Sequence, residues 1–260
     1  MNLPRFEFAG FKVSPLGIGT VKWGRTEGLK HNHFTLPDDR TIIQLLEIAL
    51  EAGINVLDTA AAYGVSEKRI GQLIQPFRGQ FYIFTKAGEI FENGKSRWDF
   101  SKAGIRASVE KSLSDLKVET LDLLTLHCAS NDMEALKNSP ALECMAELKS
   151  AGKVRNIGVS STTVEGGLYA LPFVDSIMIA WNPGFTDHQP VLEKAAELKK
   201  GIMIKKALNS GNMEQRVHTA KHGLKSAFGL PGKPLVLVGT INPNHLRENI
   251  RTAEEYFKIG

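Results

Sequence analysis

Cys128 and Cys144 are the only cysteines in 260 residues. That is too few for a disulfide framework and fits a reducing compartment. No apolar run approaches the roughly 20 residues needed to cross a bilayer. The first residues do not pair a basic start with an apolar segment in the manner of a secretory signal. Lysine and arginine are scattered rather than clustered, although the formal net charge is +4. Scattered basic residues argue against nucleic acid and suit a small anionic ligand. The expectation is a soluble, cytoplasmic protein with a small-molecule partner and no membrane or nucleic-acid role, and a protein partner is left open.

Several catalytic signatures are also missing. No G-x-G-x-x-G follows an early strand, because Gly17, Gly19 and Gly24 in GIGTVKWG are too widely spaced. No serine sits in a G-x-S-x-G elbow, Cys128 lacks a dedicated histidine, and no cage of carboxylates and histidines would hold a metal. The chain nonetheless has 42% hydrophobic and 23% charged residues, enough to bury a substantial core. No break in composition divides it, so residues 1–260 read as a single domain.

What is present is alternation. RFEFAGFKVS reads as a short hairpin around Gly10. Strands are then expected at 15–20, 55–59, 81–87, 121–127, 155–161, 176–182, 201–207 and 234–240. Helices are expected at 39–52, 66–74, 101–116, 135–150, 163–171, 190–200, 213–228 and 243–256. Ile42, Leu45, Leu46 and Ala49 form a helical stripe that Asp38 or Asp39 caps and Gly53 ends. A strand–helix pair repeated eight times is the layout of a closed (β/α)8 barrel. An open doubly wound sheet is the competitor. Closure is favoured because polar residues collect at the ends of many strands: Thr20, Asp58, Lys86, His127, Ser160 with Ser161, Asn182, Lys205 with Lys206, and Thr240. Val21–Asp39 is the one long loop.

Taken singly, each of these residues has an ordinary explanation. Asp58 suits a turn or an N-cap, Lys86 a solvated strand end, His127 a satisfied buried imidazole and Tyr63 a loop aromatic. Together they say more. Lys86 follows the apolar run FYIF and needs a carboxylate to keep its charge, and Asp58 on the adjacent strand is the natural partner. A cation at that depth is expected to lower the pKa of the Tyr63 phenol, making it an acid near neutral pH. His127 arrives from the next strand as a donor to a substrate oxygen or a second proton-transfer group. The set suits protonation of a carbonyl oxygen, with the nucleophile supplied from outside as a hydride. In VLVGTINPNHLREN an apolar strand runs through Gly239 and Thr240 into a helix start, a place for a phosphate.

These residues resemble the aldo-keto reductase superfamily along nearly the whole chain. The matching pieces are GIGT, INVLDTAAAYG with SEKRIGQLI, FTKAG, LDLLTLH, LKSAGKVRNIGVSS and VGTINPNHLREN. The resemblance implies a (β/α)8 TIM barrel with an N-terminal β-hairpin closing the bottom, binding NADP(H), with NAD as the alternative. It implies reduction of an aldehyde or ketone to an alcohol, or the reverse. Tyr63 is then the general acid, Lys86 and Asp58 tune it, and His127 orients the carbonyl. The cofactor positions around the mouth are Gly19, Thr20, Ser160, Ser161, Asn182, Lys205 and Lys206. Those along the last strand and helix are Gly239, Thr240, Asn242, His245, Arg247, Glu248 and Asn249.

The sequence also departs from the family. Ser161 replaces the usual Asn, Met178 the carboxamide-binding Gln, and Lys205 the aromatic under the nicotinamide. Gly239 and His245 stand where basic residues often face the 2′-phosphate. The chain stops at Gly260, so the substrate pocket is expected to be open on that side. The loop residues Trp23, Arg25, Lys30, His31 and His33 either favour a polar or acidic substrate or form an ordinary solvated loop. Ala60, Ala61, Ala62 and Gly64 are expected to be small to leave room for a cofactor ring beside Tyr63. Two other functions stay open: a nucleotide-binding barrel that reports redox state, and a Schiff base on Lys86, Lys205 or Lys206.

Overall fold

The computed structural model describes residues 2–29, 34–208 and 219–258. In chain order it has β1 (Phe6–Phe8), β2 (Phe11–Val13), β3 (Leu16–Gly19), α1 (Asp39–Glu51), β4 (Val56–Asp58), α2 (Ser66–Leu73) and β5 (Tyr82–Ala87). It continues with β6 (Glu89–Glu92), β7 (Lys95–Trp98), α3 (Lys102–Leu116), β8 (Leu121–His127), α4 (Asp132–Lys137) and α5 (Ala141–Ser150). The last elements are β9 (Val154–Ser160), α6 (Val164–Ala170), β10 (Ser176–Ala180), α7 (Gln189–Glu197), β11 (Gly201–Lys205), α8 (Ala220–Phe228), β12 (Leu235–Val238) and α9 (Pro243–Phe257). The eight strands β10-β11-β12-β3-β4-β5-β8-β9 close into a barrel in that order, and every pair is parallel.

The alternation within each strand divides the barrel into an outward and an inward face. Outward residues such as Ile18, Leu57, Leu124, Val159, Ile179 and Ile204 pack with the helices in one large core. Inward residues Val56, Phe84, Leu123, Met178, Met203, Leu235 and Leu237 form a second cluster with Phe8, Phe11 and Val13 of the first hairpin. That hairpin turns through Ala9 and Gly10, both at positive φ, and stacks the Phe8 ring 5.4 Å from Phe84. It thus plugs the bottom of the barrel with apolar side chains, each large one contributing about 2 kcal/mol by leaving water. Residues two positions farther along these strands form the next inward layer, at the mouth: Asp58, Lys86, Thr125, Ala180, Lys205 and Gly239.

Two differences from the sequence expectation have simple causes. The helix expected over 135–150 is two helices, α4 and α5, separated at Pro140, which has no amide hydrogen for a continuing helix. The hairpin β6–β7 lies outside the expected alternation. Its turn is Asn93-Gly94, both residues at positive φ, the pair that two-residue hairpin turns favour. Asp38, not Asp39, caps α1, its Oδ1 accepting from the Thr41 amide at 2.8 Å. Of the helix expected over 213–228, α8 accounts for the later part, and residues 213–218 lie outside the described residues.

Candidate active site

At the mouth, β4 and β5 lie side by side and bring Asp58 and Lys86 together as the sequence implied. Lys86 Nζ donates to Asp58 Oδ2 at 2.6 Å and to the Thr59 carbonyl at 2.7 Å, and both side chains are almost fully buried. Burial opposes the charge on Lys86, but Asp58 first and Tyr63 second outweigh it and hold the pKa of the amine above its ordinary value. The ammonium lies 4.8 Å from the centre of the Tyr63 ring, and the His127 ring meets Tyr63 edge-on at 6.4 Å. Asp58, Tyr63, Lys86 and His127 therefore form one cluster.

One expectation about that cluster is overturned. The Tyr63 phenol has a raised pKa, not a lowered one, because burial around it outweighs the pull of Lys86 and Asp58 adds to the rise. Tyr63 as a whole is half-buried, so the rise reflects the surroundings of the hydroxyl. Tyr63 is thus a neutral phenol across the neutral range. His127 is also neutral there: burial lowers its pKa, and Glu89 only partly offsets this.

Sequence reasoning missed Glu89 and the pairing of Arg25. Glu89 Oε2 lies 2.8 Å from His127 Nδ1, an ion-pair distance whose alignment falls short of a good hydrogen bond. Its Oε1 accepts from Arg25 Nη1 at 3.0 Å and from Ser96 Oγ at 2.5 Å. Burial pushes the Glu89 carboxyl up, but His127, Ser96 and Arg25 together pull it down to about 2. Arg25 also donates to the Ala62 carbonyl, one residue before Tyr63, and its guanidinium lies 3.5 Å from the centre of the Phe91 ring. One buried network thus joins the loop carrying Tyr63 to the strand carrying His127. Arg25 is 7% exposed and already paired, which removes it as a group for an acidic substrate, and Trp23 is fully buried. Lys30, His31 and His33 lie outside the described residues. The β6–β7 hairpin supplies both Glu89 and Ser96, so its Asn-Gly turn is the sequence signal that points to them.

The smallness of LDTAAAYG has a second source. Gly24 and Gly64 touch backbone to backbone: a methyl on Gly64 would stand 2.1 Å from the Gly24 carbonyl oxygen. Thr20 and Ser66 hold the same crossing. Thr20 Oγ1 donates to the Asp58 carbonyl and accepts from Ser66 Oγ at 2.9 Å. Gly64 is therefore small because two loops cross there, and Ala60 and Ala62 are buried.

The cofactor candidates separate into three groups. Around the mouth, Ser160 faces inward and accepts from Lys205 Nζ at 2.7 Å. Asn182 is spent on the Lys206 carbonyl and the Gly184 amide, and Lys206 is exposed with φ +62°. Ser161 points the other way, donating to Asp132 and to the Thr163 carbonyl, and is fully buried. Its hydroxyl anchors the turn after β9 and does not face the mouth. Met178 belongs to the apolar floor. At the end of the barrel, Gly19 of β3 and Gly239 after β12 face each other, leaving open backbone. Beyond them α9 begins with the Asn242 side chain accepting from Asn244 N, and Thr240 Oγ1 accepts from Asn242 N. His245, Arg247 and Glu248 are exposed on this helix and Asn249 is buried. Helix start, facing glycines and exposed basic groups suit a nucleotide phosphate. At the inner end the polar groups facing the mouth from β9 and β11 are Ser160 and Lys205.

Burial pushes the thiol of Cys128 up to about 12, so it is inert as a nucleophile. No cluster able to hold a metal ion exists among the described residues, and no described helix is long and apolar enough to cross a membrane.

A parallel barrel with an apolar floor and a mouth of coupled acid, base and amine groups defines a class of barrel enzymes. Within it, the chain belongs to the aldo/keto reductase family, whose family model matches residues 15–182. It is 30% identical over 243 residues to the D-threo-aldose 1-dehydrogenase of a Pseudomonas species, covering 82% of this chain and 71% of that one. Among solved structures it is similar to an aldo-keto reductase of Pseudomonas aeruginosa, with 41% identity, TM-score 0.86, and 96% and 92% of the two chains covered. It shares its fold with an aldo/keto reductase of Klebsiella pneumoniae solved with NADP and acetate, at 19% identity and TM-score 0.72, over 97% and 90% of the chains.

Proposed function

We propose that this chain reduces an aldehyde or ketone to an alcohol, or performs the reverse, with a nicotinamide cofactor, and that Tyr63 is its general acid. The observation that carries the reading is the Lys86 ammonium, held 2.6 Å from Asp58 and 4.8 Å from the Tyr63 ring centre. A carbonyl oxygen beside the phenol meets a neutral donor backed by a fixed positive charge, which stabilises negative charge developing on oxygen. The phenol gives its proton to that oxygen, and the Lys86 ammonium, kept charged by Asp58, limits the cost of the phenolate left behind. His127, with Glu89 at Nδ1, keeps that nitrogen protonated and presents Nε2 to the mouth as an acceptor. In this reading it orients a hydroxyl, either the Tyr63 phenol or the product alcohol, as the second proton-transfer group.

NADP(H) is the cofactor of choice, and when bound it supplies the hydride. The start of α9, with Arg247 and His245, is the place for its phosphates, and Ser160 is the hydrogen-bonding group at the nicotinamide end. The NADP in the structure of the Klebsiella protein supports this choice, and the dehydrogenase name of the Pseudomonas relative supports nicotinamide-linked oxidoreduction more generally. The test has two parts. Fluorescence titration should show NADPH binding more tightly than NADH. NADPH oxidation across a panel of small aldehydes and ketones should then occur with wild type and fall by about 100-fold or more in Tyr63→Phe. Unchanged turnover in that variant would remove Tyr63 from the mechanism.

A further inference from the structure

Among the described residues, the two carboxylates of the Tyr63 cluster have cations of their own. Asp58 is paired with Lys86, and Glu89 is shared by Arg25 and His127. Lys205 is left without one. It stands two residues above Met203 of the apolar floor, in the same inward layer as Asp58 and Lys86. Its Nζ donates to the neutral hydroxyl of Ser160 at 2.7 Å, which draws the amine across Ala180 toward the centre of the barrel. Lys206, the next residue, is on the outward side of the alternation and exposed. The mouth therefore holds two amines with opposite tasks. Lys86 is locked as an ammonium by a carboxylate; Lys205 has only a hydroxyl in direct contact, and the more distant Asp58 opposes its deprotonation less than burial, Lys206 and Lys86 favour it.

We infer that Lys205 is an imine-forming amine, whose free nitrogen condenses with the carbonyl carbon of a small aldehyde or ketone admitted to the barrel mouth. The nitrogen lone pair forms the new C–N bond while the C=O π pair moves to oxygen, which is protonated by a neighbouring acid such as Tyr63. The conjugate base of that acid takes one proton back from the carbinolamine nitrogen, the nitrogen's second proton passes to the hydroxyl, which leaves as water, and a C=N bond remains. In net terms the two hydrogens of that water replace those of the amine, so no oxidant or reductant takes part. The groups that polarise a carbonyl for hydride addition serve amine addition equally. This activity shares the mouth with the hydride reading without resting on it. A C=N bond withdraws electrons from the adjacent carbon, so hydroxylated ketones and aldehydes are the fitting substrate class.

The electrostatics agree with the geometry. Burial first, then the charges of Lys206 and Lys86, lower the Lys205 amine to about 8. Roughly one molecule in ten then carries it unprotonated at pH 7.

The experiment is trapping without any nucleotide. The full-length protein is incubated with hydroxyacetone and sodium cyanoborohydride, digested, and each lysine-containing peptide followed by mass spectrometry. Lys205 should gain the reduced adduct about tenfold faster than Lys206 or any surface lysine, as an activated amine does. Its rate should rise as the pH passes about 8. Lys205→Met and Lys205→Arg, checked for folding by circular dichroism, should lose the fast adduct. Labelling of Lys205 no faster than of Lys206, or its absence, overturns the proposal. The comparison is internal to the wild-type digest and independent of NADPH oxidation, so failure of one activity leaves the other standing.

Discussion

Glu89 Oε2 lies 2.8 Å from His127 Nδ1, and the other oxygen of the same carboxylate lies 3.0 Å from Arg25 Nη1. Replacing Glu89 by Gln keeps the shape and removes the charge that both partners face. The Arg25 guanidinium, 7% exposed, is then buried without its anion, and stability should drop by about 3 kcal/mol at pH 7. Glu89 sits at about 2 in the folded protein against an ordinary 4.5, so its stabilising effect is present above 4.5 and is lost as the pH falls toward 2. Urea denaturation should therefore show the gap between wild type and Glu89→Gln widest near neutrality and closing in acid. The His127 ring, deprived of the group that raises its pKa, should titrate lower still by NMR. A gap that stays constant from pH 7 to pH 3 would contradict the ion-pair account.

With Tyr63 as the proposed general acid, its raised pKa predicts different pH profiles for the two reaction directions. Reduction needs the phenol protonated, and the phenol stays so well above neutrality; kcat/KM for a ketone should be flat from pH 6 to 9. Oxidation of an alcohol needs the phenolate, so its rate should climb steadily as the pH rises over the same range. Measuring both directions on one substrate pair decides the matter: a reduction rate that falls by tenfold before pH 9 would mean that Lys86 dominates the phenol after all.

The barrel is legible because its signals are local and repeated. A strand such as FYIFTKA shows by its own alternation that Phe84 faces the floor and Lys86 the mouth. The Asp58–Lys86 contact follows from adjacency of strands and a buried amine's need for an anion. Glu89 is not legible in that way. It belongs to a hairpin outside the repeat, and nothing near it in sequence announces that Arg25, 64 residues away, will meet it. The direction of the Tyr63 shift escapes the sequence because Lys86 is visible there while the degree of enclosure is not. Ser161 differs from expectation for a simpler reason: the inward face at the end of β9 belongs to Ser160, and the next residue turns outward.

Glu67 offers a stability test far from the chemistry. Its carboxyl is buried behind β5 and accepts from Thr85 Oγ1 at 2.5 Å and Ser112 Oγ at 3.0 Å, with no cation in ion-pair contact among the described residues. Burial raises its pKa above the ordinary 4.5. The folded state then holds a proton that the unfolded chain has released, so this group's contribution falls as the pH rises above 4.5. Glu67→Gln keeps a neutral group of the same size at every pH. It should match wild type in mild acid and exceed it by on the order of 1 kcal/mol at pH 8. Parallel thermal-melting profiles for the two proteins from pH 5 to 8 would show that the carboxyl is not strained by its burial.

The crossing of Gly24 and Gly64 is where fold and chemistry depend on the same few atoms. A methyl added at Gly24 would stand 2.1 Å from Ser66 N and 2.3 Å from the Tyr63 carbonyl oxygen, both backbone atoms that cannot rotate aside. The two loops must separate, and the loop that moves carries the phenol. Gly24→Ala should cost about 2–3 kcal/mol of stability. It should also cut carbonyl reduction on the order of 100-fold, since a shift of about 1 Å at the acid is enough for that. Gly79→Ala is the proper comparison. Gly79 has φ +83° and nothing within 4 Å of an added methyl, so it should lose only about 1 kcal/mol from backbone strain and keep its turnover. If Gly24→Ala behaved like Gly79→Ala in both melting temperature and kcat, the backbone crossing would not be what holds Tyr63 over the mouth.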